Sequence, residues 1–229
     1  MKKIATLFTL LMLISSVLFA TPEFAINKVS LEKIDKEYGI FTLQRVYTLV
    51  QIMNNIKDLD EKEKLEKVND FFNQIPYASD KETYGISDYW ATRLEFIAKN
   101  RGDCEDFVIA KYFTLTELGV SPSKLFMTYA KSLQYKTAHL VLTYYETPQS
   151  IPLVLDNYNN KILPASERED LIHVYSFNGD ELFNAKYAQI GKIVPAVTRQ
   201  TRPWDELLIT YPKDEQFQAS YTHPLPLLN

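Results

Sequence analysis

The sequence has very little cysteine: Cys104 is the single one in 229 residues. An internal disulfide is therefore excluded, and the thiol is either buried, paired with another molecule or reactive. Glycine is also scarce, with six residues against fifteen tyrosines and thirteen phenylalanines, which predicts a well-packed interior with few unusual turns. The chain has no internal repeat, phosphate-binding loop, dinucleotide-binding fingerprint or zinc-ligand spacing. Nothing in it therefore indicates a nucleotide-dependent or zinc enzyme.

A long, uncharged and mostly apolar run is found only at the N-terminus, where Ile4 to Ala20 follow the charged start Lys2-Lys3. This pattern is typical of a secretory signal, so we predict a signal peptide over residues 1–20 and a single domain over residues 21–229. Leu18 is larger than the residue usual before a cleavage site, so an uncleaved anchor is the alternative. Loss of the two lysines leaves 23 basic against 29 acidic residues, a net charge of −6, which gives no electrostatic basis for binding nucleic acid or anionic lipid.

The spacing of apolar residues predicts helices first and strands later in the chain. Helical periodicity is present over Val46–Ile56 and Leu65–Ile75, with a shorter helix around Leu94–Ala98. Three β-rich runs follow, at Leu125–Ala130, Ala138–Tyr145 and Leu153–Asp156. The polar segment Pro164–Arg168 is predicted to lie on the surface.

Cys104 lies at the predicted start of a helix. Gly102-Asp103 precedes it as a start signal, an apolar-periodic run follows, and Gly119 ends the run. Unpaired backbone N–H groups and the helix dipole lower the pKa of a thiol in the first turn and also bind an oxyanion. These features favour a nucleophile. A buried, inert thiol is the alternative, because free cysteine behaves as a small hydrophobe.

Three carboxylates, those of Asp103, Glu105 and Asp106, flank this cysteine. Their negative charge would raise the pKa of the thiol and oppose its activation unless a cation neutralises them. They are either first-turn acids that interact with the helix dipole or oxygen ligands for a cation, for which Ca²⁺ is the usual choice outside the cytoplasm. Spacing alone leaves both interpretations open.

The second and third β-rich runs form a predicted hairpin that pairs a histidine with an acid. If the turn is centred directly after Thr147, Leu140 faces Leu155 and His139 faces Asp156. A carboxylate that orients an imidazole is the base half of a nucleophilic triad. An ordinary cross-strand ion pair is the alternative.

Three other side chains are weaker candidates. His173 lies in a predicted strand over Ile172–Phe177 and has no acid in a matching register. His223 lies in the proline-rich C-terminal tail, which is predicted to be irregular. Trp90 is either a core residue or a wall of the site beside Cys104.

Four motifs follow one another along the chain: Asp88-Tyr89-Trp90-Ala91-Thr92, Gly102-Asp103-Cys104-Glu105-Asp106-Phe107, Ala138-His139-Leu140-Val141-Leu142 and Leu153-Val154-Leu155-Asp156-Asn157. Together they resemble the bacterial transglutaminase-like cysteine proteinases of the periplasmic LapG type. The resemblance extends from about Val68 to Asn178. One departure is Arg93, which stands where the family pattern has a proline after the threonine.

The resemblance implies an α+β fold of the papain-like, transglutaminase-like type, in which a nucleophile helix packs on an antiparallel β-sheet. It implies that Cys104 is the nucleophile, His139 the general base and Asp156 the orienter. It also implies a Ca²⁺ cofactor, whose ligands would fall on Asp103, Glu105 and Asp106.

The function implied by the resemblance is biofilm dispersal by a calcium-dependent periplasmic cysteine endopeptidase. The substrate would be a large repetitive surface adhesin, cut in its N-terminal region at a di-alanine site. The second partner would be an inner-membrane cyclic di-GMP receptor that sequesters the protease. The alternatives are a transglutaminase-type acyl transferase and a non-catalytic periplasmic protein that binds the receptor.

Overall fold

The computed structural model describes residues 24–26, 28–178, 182–184, 193–194, 204 and 207, with the backbone alone for 182–184 and 193–194. The predicted signal segment, residues 1–20, and His223 lie outside the described residues. In this part of the chain, no helix combines the length and the apolar character that crossing a membrane requires.

The described residues form six α-helices, mostly in the first half of the chain. Their bounds are α1 Lys28–Tyr38, α2 Ile40–Ile56, α3 Glu61–Phe72, α4 Asp80–Thr83, α5 Arg93–Lys99 and α6 Cys104–Glu117. The helix α2 begins before the predicted Val46, and α3 ends before the predicted Ile75. The helix α3 begins at Glu61 because the side chain of Asp60 accepts a hydrogen bond from the Glu63 backbone N–H at 2.9 Å, which caps the first turn.

Seven strands form one sheet in the order β4-β3-β2-β1-β5-β6-β7, and every neighbouring pair is antiparallel. Their bounds are β1 Leu125–Ser132, β2 Ala138–Tyr144, β3 Leu153–Leu155, β4 Leu163–Pro164, β5 Leu171–Phe177, β6 Leu182–Asn184 and β7 Ile193–Val194. The helix α6 packs against β2 and buries residues on several of its faces, which is the pattern of a central helix. The predicted α+β fold, with the nucleophile helix on an antiparallel sheet, is confirmed.

The register of the β2–β3 hairpin differs from the prediction. Leu142 pairs with Leu155 and Tyr144 pairs with Leu153, so each β2 residue meets a partner two positions further along the chain than predicted. A shift of two residues keeps every side chain on its predicted face, because side chains alternate with a period of two. The predicted direct pairing of His139 with Asp156 across the hairpin is therefore wrong, although both side chains still lie on one face.

Candidate active site

Cys104 is the first residue of α6, and its thiol is buried, with 8% of the residue exposed. Asp103 caps the helix, and its backbone N–H in turn donates to Asp106 Oδ2 at 3.4 Å. The thiol donates a hydrogen bond to Glu105 Oε2 at 2.9 Å. Burial and then the Glu105 carboxylate raise the pKa of the Cys104 thiol well above its usual value, against a backbone hydrogen bond from Leu140 that lowers it. Burial first, and then the neighbouring carboxylates, therefore favour the neutral form of the thiol.

His139 and Asp156 are joined by a hydrogen bond although they are not paired residues of the hairpin. The distance from His139 Nε2 to Asp156 Oδ1 is 2.7 Å, and both side chains are fully buried. The contact forms because Asp156 directly follows β3, where its side chain reaches back to β2. Among the described residues, His139 Nδ1 has no hydrogen-bond partner. With an ionised Asp156 accepting from Nε2–H, Nδ1 is the basic nitrogen of the ring.

Tyr158 covers the imidazole from one side. Its ring is parallel to that of His139, with an interplanar angle of 1° and centroids 4.0 Å apart. The backbone N–H of Tyr158 also donates to Asp156 Oδ1 at 2.8 Å, a local turn that aspartate side chains commonly form. The aspartate, the histidine and the tyrosine therefore hold one another in place.

Arg168 contacts the other oxygen of the same carboxylate. Its Nη2 donates to Asp156 Oδ2 at 2.6 Å, and Nε and Nη2 donate to the two oxygens of Asp170 at 2.8 and 2.7 Å. The surface location predicted for Pro164–Arg168 is wrong for Arg168, which is 3% exposed. Burial would raise the pKa of Asp156, but hydrogen bonds from His139, Tyr158 and Arg168 outweigh it and hold this pKa below its usual value.

A buried lysine lies behind Asp156. Lys111 on α6 donates to Asn69 Oδ1 at 2.8 Å and to Asn73 Oδ1 at 2.7 Å. The amide nitrogen of Asn73 donates in turn to the backbone oxygen of Asp156 at 2.7 Å. Burial lowers the pKa of Lys111 to about 7, although the nearby Asp156 acts in the opposite direction. These hydrogen bonds connect α3 and α6 to Asp156, the candidate catalytic acid, at the start of the loop that follows β3.

Three aspartates form an oxygen cluster beside the cysteine. Carboxylate oxygens of Asp80, Asp103 and Asp106 lie within 4.8 Å of one another. Asp106 Oδ1 accepts from the Ala91 backbone N–H at 3.0 Å. Burial first, and then the neighbouring carboxylates, raise the pKa values of all three, that of Asp106 to about 8. Three carboxylates this close together destabilise one another's ionised forms, and a bound cation would offset that repulsion.

The predicted ligands divide between two places. Asp103 and Asp106 come together, whereas Glu105 accepts from the Cys104 thiol and contacts Asp103. Asp80 completes the cluster and was not singled out from the sequence, because nothing near it in the chain points to the cysteine. One oxygen each of Asp80 and Asp103 is buried with no hydrogen-bond partner among the described residues. These oxygens could bind a hard cation.

An ordinary structural environment surrounds each of the three remaining residues discussed from the sequence, Trp90, His173 and Arg93. Trp90 is buried, with 7% exposed. His173 Nε2 lies 2.7 Å from Ser176 Oγ, not from an acid. Arg93 begins α5 where the family pattern has a proline, and it forms a two-point ion pair with Glu117 at 2.9 and 3.0 Å.

Comparisons with known proteins identify the family of this chain. The family described as bacterial transglutaminase-like cysteine proteinase (BTLCP) matches residues 49–174. The calcium-bound structure of LapG from Legionella pneumophila is 41% identical, with a TM-score of 0.69 over 80% of this chain and 98% of that one. The EGTA-treated structure is also 41% identical, with a TM-score of 0.69 over 81% and 98%. No curated protein matches. The chain belongs to the bacterial transglutaminase-like cysteine proteinases and is a cysteine peptidase of the LapG type.

Proposed function

We propose that this peptidase is a calcium-dependent endopeptidase with Cys104 as nucleophile, His139 as general base and Asp156 as orienter. The observation that carries the proposal is the buried His139 Nε2–Asp156 Oδ1 hydrogen bond of 2.7 Å, with the opposite ring nitrogen unpartnered among the residues that the structure describes. This histidine lies on the strand that packs against the helix bearing the cysteine. A base fixed by an acid beside a nucleophile is the arrangement that covalent catalysis requires.

The chemistry follows from this arrangement. His139 Nδ1 takes the proton of the Cys104 thiol, and the thiolate attacks the carbonyl carbon of the peptide. The unpaired N–H groups at the start of α6 bind the oxyanion. His139 then donates the proton to the leaving amine, and a water that it deprotonates releases the second product from the thioester.

Calcium is proposed as the cofactor because the donor set fits it. Asp80, Asp103 and Asp106 would hold the ion, with Glu105 next to them, and carboxylate oxygens are the ligands that Ca²⁺ prefers. Two of these oxygens are buried and have no hydrogen-bond partner in the described part of the chain, and the LapG structures include a calcium-bound and an EGTA-treated form. The bound ion would supply positive charge that offsets the carboxylates around the thiol.

The resemblance supports the biological part of the proposal. The enzyme acts in the periplasm, cuts the N-terminal region of a large surface adhesin at a di-alanine site and thereby promotes biofilm dispersal. An inner-membrane cyclic di-GMP receptor sequesters it. Strains carrying the wild-type chain or Cys104→Ala test this part. Only the wild type should release the adhesin, and equal release from both strains would contradict it.

Purified protein tests the chemistry itself. Cys104→Ala should melt near the wild-type temperature, and both Cys104→Ala and His139→Gln should fold and fail to cleave an adhesin N-terminal fragment. EGTA should abolish wild-type cleavage, and Ca²⁺ in excess should restore it. Cleavage by Cys104→Ala would end the proposed mechanism, whereas indifference to EGTA would end only the calcium proposal.

A further inference from the structure

The Asp156 carboxylate accepts three hydrogen bonds, of which only the one with His139 is needed to orient the imidazole. Oδ1 accepts from His139 Nε2 and from the Tyr158 backbone N–H, and Oδ2 accepts from Arg168 Nη2 at 2.6 Å. The Arg168 side chain is 2% exposed, so its charge lies in a poorly solvated environment next to the aspartate. An ion pair in such an environment is screened far less than one on the surface.

The position of Arg168 is itself fixed. Its guanidinium makes two hydrogen bonds to Asp170, whose side chain is 41% exposed and connects the pair to solvent. With Nε and Nη2 both bonded to Asp170, the planar guanidinium presents the second N–H of Nη2 in one direction. Here that direction is toward Asp156 Oδ2, so the orientation of the aspartate depends on an arginine twelve positions further along the chain.

We propose that Arg168 is a positioning residue of the peptidase: it aims the Asp156 carboxylate at His139 Nε2 and offsets its negative charge. The inference rests on the catalytic roles proposed above for His139 and Asp156. Arg168 acts only through the aspartate and makes no contact with the reacting atoms. Without it, the carboxylate would be buried with one oxygen unpaired and free to rotate away from the imidazole.

The inference also predicts a change in pH dependence. The charged and titratable groups around Asp156 are His139, Arg168, Lys111, Asp170 and Tyr158. Arg168 helps to hold the pKa of Asp156 below its usual value, so its removal raises that pKa. Activity that requires the ionised carboxylate is lost as the pH falls through this pKa. The acid limb of the pH–activity profile should therefore move to higher pH in an Arg168→Gln variant.

The experiment compares Arg168→Gln and Arg168→Lys with Lys161→Gln in the full chain. Lys161→Gln is the matched control, because it removes one positive charge from an exposed position in the same segment between β3 and β5. Arg168→Gln should lose about 10- to 100-fold in kcat at unchanged KM, the same range as the loss on removing a partner that orients a metal ligand. Arg168→Lys should recover part of the loss, and Lys161→Gln should match the wild type.

A double variant separates positioning from a merely structural role. If Arg168 acts through Asp156, then Asp156→Asn/Arg168→Gln should be as active as Asp156→Asn alone, because the charge to be offset is gone. If Arg168→Gln alone does not fold, the same comparison still tests the inference, because the double variant has no uncompensated buried carboxylate. A double variant clearly less active than Asp156→Asn would overturn the inference, as would wild-type kinetics in Arg168→Gln. Full activity in Asp156→Asn would instead refute the proposed triad and this role with it.

Discussion

Replacement of Gly102 by alanine tests whether the acidic cluster depends on the close approach of this glycine. Gly102 is buried, and its carbonyl oxygen accepts from the Ala78 backbone N–H at 2.8 Å. Its φ is not positive, so an alanine here meets no backbone strain. The added methyl group would instead clash with the Asp106 side chain.

The size of the effect follows from the space that a methyl group would need. A Cβ on Gly102 would lie 2.2 Å from Asp106 Oδ2 and 2.8 Å from two ring carbons of Phe96, whereas ordinary contacts begin near 3.4 Å. Phe96 is fully buried, so the Asp106 carboxylate must retreat by about 1 Å. Overpacking of this kind destabilises a fold by about 1–3 kcal/mol. Because Ca²⁺–oxygen distances span only about 2.3–2.6 Å, the same shift would remove Asp106 as a ligand.

Thermal unfolding in Ca²⁺ and in EGTA measures both effects, with Gly119→Ala as the matched control. Gly119 has a φ of +89° and no atom within 4 Å of the added Cβ, so alanine there costs only backbone strain, about 1–2 kcal/mol. At a hundredfold excess over the Kd, Ca²⁺ should stabilise the wild type and Gly119→Ala by about 2.7 kcal/mol and Gly102→Ala by much less. Wild-type melting and a wild-type calcium response in Gly102→Ala would refute the steric reasoning.

Three further predictions concern single side chains. Asp80→Asn should reduce calcium stabilisation in the same unfolding assay, and the exposed Asp70→Asn should not. Tyr158→Leu should fold and lose kcat in steady-state kinetics, because the imidazole loses its stacked partner. Burial lowers the pKa of Lys111 from 10.5 to about 7, so the unfolded chain binds the extra proton between these values and stability should rise with pH above 7. Denaturant unfolding at pH 7 and 9 should show that rise in the wild type and a weaker one in Lys111→Met.

Apolar periodicity predicted the elements of the fold better than their ends and their register. The hairpin shows why. Its turn spans Thr147 to Ser150, because the Ser150 backbone N–H donates to Thr147 O at 3.0 Å and Ser150 Oγ accepts from the Thr147 N–H at 3.1 Å. The centre of this turn lies one residue beyond the predicted one, and each pair moves by two residues. A serine side-chain bond of this kind leaves no trace in hydrophobic spacing.

The residues of the candidate site also differ in how far the sequence alone predicts them. The helix start predicted at Cys104 is where α6 begins, whereas the predicted register that paired His139 with Asp156 is wrong by two residues. Their contact arises because Asp156 follows β3 and its side chain reaches back to β2. Asp80 and Arg168 reach the site through tertiary contacts only. A charged run such as Ser166-Glu167-Arg168-Glu169-Asp170 is typical of a surface, and only the three-dimensional fold reveals that its arginine pairs with a buried acid.

The carboxylate beside His139 and the carboxylates beside Cys104 differ in whether the chain supplies a cation to balance them. This difference bears on the proposed cofactor. Asp156 has a cation supplied by the chain itself, because Arg168 is bonded to it. Asp80, Asp103 and Asp106 form no ion pair with any lysine or arginine in the part of the chain that the structure describes. Buried carboxylates are usually paired or bound to a metal, so a cation from solution is the partner that would balance this side. Activity would then depend on calcium through the cysteine side of the site and not through the histidine–aspartate pair.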